Sequence, residues 1–99
     1  VFSCNNPVSS FASCSITTIE GIGTAEKLHP IQESFVKEKA AQCGYCIPGI
    51  IMATKALLDT TPEPDKEMVC EALADNLCRC GTHNQIIKAV VKAASEMRK

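Results

Sequence analysis

Tryptophan is absent from this chain, and aromatic residues fill only 4% of its 99 positions. A core built on large flat rings is thereby excluded. The sequence calls instead for a core of Leu, Ile, Val, Met and Ala, as helix bundles use. An excess of charge is also missing: ten Lys and Arg face eleven Asp and Glu, for a formal net charge of −1. No basic field exists to hold nucleic acid or an anionic membrane surface. No apolar run approaches the ~20 residues of a membrane span, and no signal-peptide pattern is present. Hydrophobic residues, at 45%, suffice for one small domain with a modest core.

What the chain has in abundance is cysteine, seven in all. Four of them form two tight pairs, Cys43-Gly44-Tyr45-Cys46 and Cys78-Arg79-Cys80. Helical-looking sequence separates the pairs. Four thiols in two short-range pairs are what the two tetrahedral irons of a [2Fe–2S] cluster need, two thiolates on each. A disulfide framework fits poorly, because Cys78 and Cys80 are too close to bridge easily, and Cys-x-x-Cys before a helix is more often a metal or redox site. Two alternatives stay open. A structural zinc accepts four Cys, although its usual knuckles have two to four intervening residues and Cys-Arg-Cys is tighter. A thiol–disulfide oxidoreductase using Cys43 and Cys46 needs βαβ surroundings, and it leaves Cys78 and Cys80 unexplained.

The rest of the sequence supplies helices to carry these pairs. Residues 1–15 are rich in Ser and Asn and read as irregular. Ile16-Thr17-Thr18-Ile19 is a β-branched run stopped by Glu20-Gly21, which predicts a brief strand. A helix is predicted over Glu26–Gln42, with Leu28, Ile31, Phe35 and Val36 inward and Lys37, Glu38 and Lys39 toward water. Pro30 suits its first turn. After Cys46, Pro48 opens a second helix with Ile51, Ala53, Leu57 and Leu58 on its apolar side. Pro62 and Pro64 punctuate a loop over residues 59–64. Asp65 is a good cap for a third helix with a Val69, Leu73, Leu77 stripe. Gly81-Thr82-His83-Asn84 breaks it, and Asn84 is expected to cap a last helix carrying Ile87, Val90, Val91 and Ala94. Packing two such helix–cysteine–helix halves together would bring both cysteine pairs to one end.

An oxidised [2Fe–2S] group with four thiolates is a dianion, and one electron makes it a trianion. Backbone N–H groups at the start of the helix after Cys46 are expected to favour that charge. Gly44, Gly49 and Gly81 let the backbone approach the sulfurs. Arg79, between two ligands, reads equally well as a counter-charge and as a solvent-facing turn residue.

Three stretches together resemble one family: Leu28-His29-Pro30-Ile31-Gln32, then Ala41-Gln42-Cys43-Gly44-Tyr45-Cys46-Ile47-Pro48-Gly49-Ile50-Ile51-Met52, then Asn76-Leu77-Cys78-Arg79-Cys80-Gly81. The family is the small iron–sulfur subunit or domain of the molybdenum hydroxylases, such as xanthine dehydrogenase, aldehyde oxidoreductase, and the nicotinate and isoquinoline oxidoreductases. The resemblance implies an all-α, four-helix, pseudo-twofold [2Fe–2S]-binding bundle over residues 25–99. It implies that residues 1–24 are the tail of a truncated ferredoxin-like β domain, with Cys4 at the place of that domain's fourth cluster ligand. Carried over, Cys43, Cys46, Cys78 and Cys80 are the metal ligands, and Gln42 and Cys80 lie against the molybdopterin of a large partner subunit. The implied function is one-electron transfer from that molybdopterin centre toward a flavoprotein subunit or a cytochrome. This chain would then be the iron–sulfur part of a molybdenum-dependent oxidoreductase, with no substrate chemistry of its own. A cytoplasmic location follows, or a periplasmic one if the chain is exported with its partner.

Many relatives have Thr-Gly-Tyr after the last ligand, where this chain has Gly81-Thr82-His83, a variant nearer the nicotinate and isoquinoline type. His83 reads as a capping or surface histidine more readily than as an extra ligand. His29 reads as a helix-opening residue. Cys70 is expected to be a buried free thiol and Cys14 an incidental one. Met52 fits the core. Tyr45 and Ile47 would expose apolar area beside the ligands unless a partner covers them.

Overall fold

The computed structural model describes residues 6–98. Among these the secondary structure is helical, with no strand. Four α-helices follow one another: α1 (Pro30–Lys37), α2 (Ile47–Thr60), α3 (Lys66–Ala72) and α4 (His83–Arg98). Two short 3-10 turns, Val8–Phe11 and Ile19–Gly21, precede them. The strand expected at Ile16–Ile19 does not form. Its β-branched residues have no neighbouring strand to complete a ladder, and Ile19 instead starts the second turn.

The first helix is half the length its periodicity suggests, and its ends explain why. His29 opens it. Its Nδ1 accepts from the Ile31 N–H at 3.2 Å, while Gln32 Oε1 accepts from the His29 N–H at 3.0 Å. This reciprocal capping, with Pro30 in the first position, leaves Glu26–Leu28 outside the helix. At the other end Lys39 takes a left-handed conformation, φ 53°. The Lys39 N–H then donates to the Val36 carbonyl, and the Ala40 N–H to the Phe35 carbonyl at 3.0 Å. Those two bonds are a Schellman closure, here without the usual glycine. The chain turns inward at buried Ala40 and runs directly to Cys43.

Helix α2 carries Pro48 in its first turn and stops at Thr60, before the two prolines. Thr54 is buried inside it and bonds back to the Ile50 carbonyl at 2.8 Å. Asp65 caps α3 as expected, its Oδ1 accepting from the Met68 N–H at 2.8 Å. That helix is only seven residues long, so the predicted stripe does not reach Leu77. Val69 is buried, Leu73 half-buried, and Leu77 is 72% exposed in the loop beyond. Helix α4 begins at His83, so Thr82, not Asn84, occupies the position before its first turn.

The core gathers Ile31 and Phe35 from α1, Ile50, Ile51 and Leu58 from α2, Val69 from α3, and Ile86, Ala89, Val90, Ala93 and Ala94 from α4. Each large apolar side chain among them stabilises the fold by ~1.5–3 kcal/mol. The most extensive packing joins α1 to α4, the first helix to the last. Small residues Ala89 and Ala93 permit that close approach. The buried Ser34 hydroxyl donates to the Ala89 carbonyl across it at 2.6 Å. Glu38 also pairs with Lys92 across the seam, which covers Glu38 where solvent exposure was expected. Leu28, Val36 and Val91 lie outward of the core, contrary to the expected stripes, and Met52 is half-buried. None of the helices among the described residues is long and apolar enough to cross a membrane.

Candidate metal centre

The four paired cysteines sit on two loops. The first runs from Ala40 to the start of α2, where Cys46 stands immediately before the helix. The second joins α3 to α4. In each loop a glycine directly follows a cysteine and takes a positive φ, 84° at Gly44 and 76° at Gly81. A side chain at either place would meet open space, so backbone conformation is what demands glycine there. Gly49 serves differently. A Cβ there would lie 3.3 Å from Asn76 Nδ2, so this glycine lets the first turn of α2 approach the chain leading into Cys78.

That approach brings the thiols together across the loops. Cys43 and Cys80 lie close enough to perturb each other, and so do Cys46 and Cys78. The two pairs are unequal in setting. Cys43 and Cys80 are exposed, Cys46 is half-buried, and Cys78 is buried, with 5% of its surface accessible. All four are free thiols, as are exposed Cys14 and Cys70. Cys70 was expected to be buried. It lies one position round α3 from Val69, and this short helix buries only Val69.

Hydrogen-bond donors surround the sulfurs. The Thr82 hydroxyl, 3.1 Å from Cys78 Sγ, is the largest influence holding that thiol down at about 6. The Thr82 and Cys80 backbone N–H groups act the same way. The Tyr45 N–H lowers Cys43. The Cys43 N–H favours the charged form of Cys80, but the Cys43 thiol, burial and neighbouring charge together push Cys80 up. Burial, then the Cys78 thiol, raises Cys46 to about 11. The donors on Cys78 come from its own loop, and Tyr45 lies in the Cys43 loop, so the anion-favouring groups belong to both loops and not only to the start of α2. His83 is not directed at a metal position. Its Nε2 accepts from the Cys78 backbone N–H at 3.3 Å and steadies the loop.

Whether these residues suit a two-iron group is a question of donor arrangement. Among the described residues, no three His, Cys, Asp or Glu side chains converge as a single metal ion requires. The cysteines instead form two thiol pairs side by side. A tetrahedral zinc needs four donors on one centre. A [2Fe–2S] group is wider and takes two thiolates at each end. Two thiol pairs on facing loops are a donor set that a [2Fe–2S] group can take. Helices flank Cys43–Cys46, and among the described residues no βαβ unit of the thioredoxin kind surrounds them.

Comparison with known families points the same way. Residues 18–91 match the [2Fe-2S] binding domain family. The chain belongs to that family. This [2Fe–2S]-binding domain is 52% identical over 97 residues to one of the subunits of nicotinate dehydrogenase from Pseudomonas putida, covering 98% of this chain and 62% of that relative. It is 45% identical over 94 residues to the alpha subunit of isoquinoline 1-oxidoreductase from Brevundimonas diminuta, covering 95% of this chain and 61% of the relative. Its fold superposes on aldehyde oxidoreductase from Desulfovibrio gigas with a TM-score of 0.94 and 40% identity, over 99% of this chain and 11% of that one. The [2Fe–2S]-binding domain thus spans about three fifths of the length of the two bacterial subunits.

Of the residues expected at the site, Cys43, Cys46, Cys78 and Cys80 are brought together. Gln42 is exposed beside them, as is Arg79. Cys4 lies outside the described residues. Thr82 and Asn76 lie in stretches that the sequence marks out, but their roles at the site show only in the fold. A signal existed for Thr82, which lies between the last cysteine and a helix start, where Thr is commonly a cap.

Proposed function

We propose that this chain passes electrons, one at a time, through a [2Fe–2S] cluster held by Cys43, Cys46, Cys78 and Cys80. The single observation that carries this reading is the juxtaposition of the four thiols as two cross-loop pairs, with backbone and hydroxyl donors aimed at their sulfurs. When bound, the cluster supplies one-electron chemistry. The protein supplies four thiolates, a partly dry setting on the Cys78 side, and donors that favour negative charge.

The source of the electrons is, in this proposal, a molybdopterin centre in a large partner subunit, and the acceptor a flavoprotein or a cytochrome. The kinship with subunits of nicotinate dehydrogenase and isoquinoline 1-oxidoreductase supports a multi-subunit oxidoreductase. Exposed Gln42 and Cys80 are the groups proposed to meet the pterin, Gln42 as a neutral donor and acceptor. Ile47, expected to be exposed beside Tyr45, is half-buried and packs against the core; Tyr45, 93% exposed, and Leu77 present apolar surface on the same two loops, which suits a docking face. Tyr45 does not shield the sulfurs within this chain.

Residues 25–99 form the cluster-binding unit in this reading, two helix–cysteine–helix halves related by a pseudo-twofold. The α1–α4 and α2–α3 packing supports that pairing. Residues 1–24 are proposed as the tail of a ferredoxin-like domain, on the resemblance alone. A cytoplasmic site of action, or export with the partner, fits an iron–sulfur protein of this kind. Anaerobically prepared protein should contain about two irons and two sulfides per chain. One-electron reduction should give an EPR signal. Stoichiometric zinc in protein made with ample iron would overturn the proposal.

A further inference from the structure

The second cysteine loop holds an interaction that ligand spacing does not require. Thr82 immediately precedes α4, and its carbonyl accepts from the Ile86 N–H at 3.0 Å in the helix's first turn. A threonine placed there ordinarily turns its hydroxyl back to accept from a first-turn N–H. Here the hydroxyl lies against Cys78 Sγ instead, at 3.1 Å. Both residues are buried, with 8% of Thr82 and 5% of Cys78 accessible. In the free thiol either atom can be the donor. A sulfur bound to iron has lost its proton, and the hydroxyl is then the one group of the two that can donate.

We propose that the Thr82 hydroxyl donates a hydrogen bond to the Cys78 sulfur in the iron-loaded protein and thereby raises the potential at which the cluster accepts its electron. Reduction adds negative charge to the iron–sulfur group, and part of it resides on the cysteine sulfurs. A donor aimed at one of them is held more tightly after reduction than before, so it favours the reduced state. Burial strengthens the difference, because little water competes for the sulfur. The backbone N–H groups of Thr82 and Cys80 also face Cys78, but substitution of the side chain leaves them in place. The hydroxyl is thus a positioning and tuning group that varies independently of the four ligands. Cys43 and Cys80, being exposed, have water as an alternative donor.

The inference rests on the cluster reading, and the test separates the two. Thr82→Val keeps the side chain's shape and removes the hydroxyl; Thr82→Ser keeps the hydroxyl. Iron and sulfide are counted in each variant, and the midpoint potential is measured by EPR-monitored titration. The valine variant should hold its cluster and shift to a lower potential, by about tenfold in the one-electron equilibrium, or ~59 mV. The serine variant should stay close to wild type. A merely structural threonine would leave the potential of a loaded Thr82→Val unchanged, and that result overturns the proposal. Should valine prevent loading, the smaller Thr82→Ala is read in the same way. Failure of both to load, with Thr82→Ser loading normally, would assign the hydroxyl to cluster assembly and also overturn it. Wild-type protein without iron would overturn the cluster reading itself.

Discussion

Along the seam between α1 and α4, Ile31, Phe35, Ile86, Ala89, Val90 and Ala93 exclude water, and Ser34 and the Glu38–Lys92 pair join the two helices. At the cysteine loops the balance is reversed. Cys78 and Thr82 are buried, while Cys43, Gly44, Tyr45, Arg79, Cys80 and Gly81 face solvent. The seam is held chiefly by apolar burial, with one buried hydrogen bond and one ion pair across it. The loops bury little apolar surface, leaving Tyr45 and Leu77 exposed, and their close approach rests on glycine conformations and a few hydrogen bonds. One end of the molecule is therefore a scaffold in its own right. The other is completed by what its thiols hold.

Iron removal should expose this difference with the largest effect. Chelation should lower thermal stability by more than any single substitution in the loops, because cluster binding and local folding are linked. Amide hydrogen exchange should accelerate first in residues 42–47 and 76–82, with α1 and α4 the last to lose protection. An unchanged melting curve would show that the helices pack without the cluster, and the contrast between the two ends would collapse.

The seam is broken from the other side by Phe35→Ala. Phe35 is the large aromatic side chain that α1 contributes to the core, and its loss should cost about 3–5 kcal/mol in urea unfolding of the iron-loaded chain. Before the unfolding transition the cluster's visible absorption should be unaltered. Bleaching of that absorption at low urea would mean that the seam and the loops form one cooperative unit.

A smaller effect concerns His29, the cap of α1. Burial, and then Lys55, hold its pKa below the ordinary 6.5, with Asp59 opposing. Only the neutral ring can accept the Ile31 N–H at Nδ1. Just below pH 6.5 the unfolded chain binds more protons than the folded one, so this contribution is complete above that pH and declines as pH falls. His29→Ala should cost roughly 0.5–1 kcal/mol at pH 7.5. The difference from wild type should shrink toward pH 5.5. A difference independent of pH would show that His29 contributes packing and no titratable bond.

Several of these features are legible in single residues. Asp65 and the His29-Pro30 pair mark helix starts because capping joins groups only two or three residues apart. The four ligand candidates are equally plain, since Cys43-Gly44-Tyr45-Cys46 and Cys78-Arg79-Cys80 mark a metal or redox site by their spacing. The expected helix over Glu26–Gln42 forms only over Pro30–Lys37, for an equally local reason. Periodicity shows which residues favour a helix, but the left-handed turn at Lys39 is not a conformation that lysine announces. Likewise the Ile16–Ile19 run has strand propensity and no strand to pair with.

The chain's own order of residues thus determined the helical character, the caps of α1 and α3, and the identity of the thiols. Tertiary structure alone decided that Cys43 meets Cys80 and Cys46 meets Cys78, that Cys78 is the buried sulfur, and that Leu77 and Cys70 face outward. It also decided that the Thr82 hydroxyl lies on a sulfur and not on a helix N–H. Caps and ligand pairs are contacts between near neighbours, so their residue types specify them. Burial and cross-loop pairing depend on how α2 and α3 settle against the α1–α4 seam, and that arrangement is a sum over many weak contacts between residues distant in the chain.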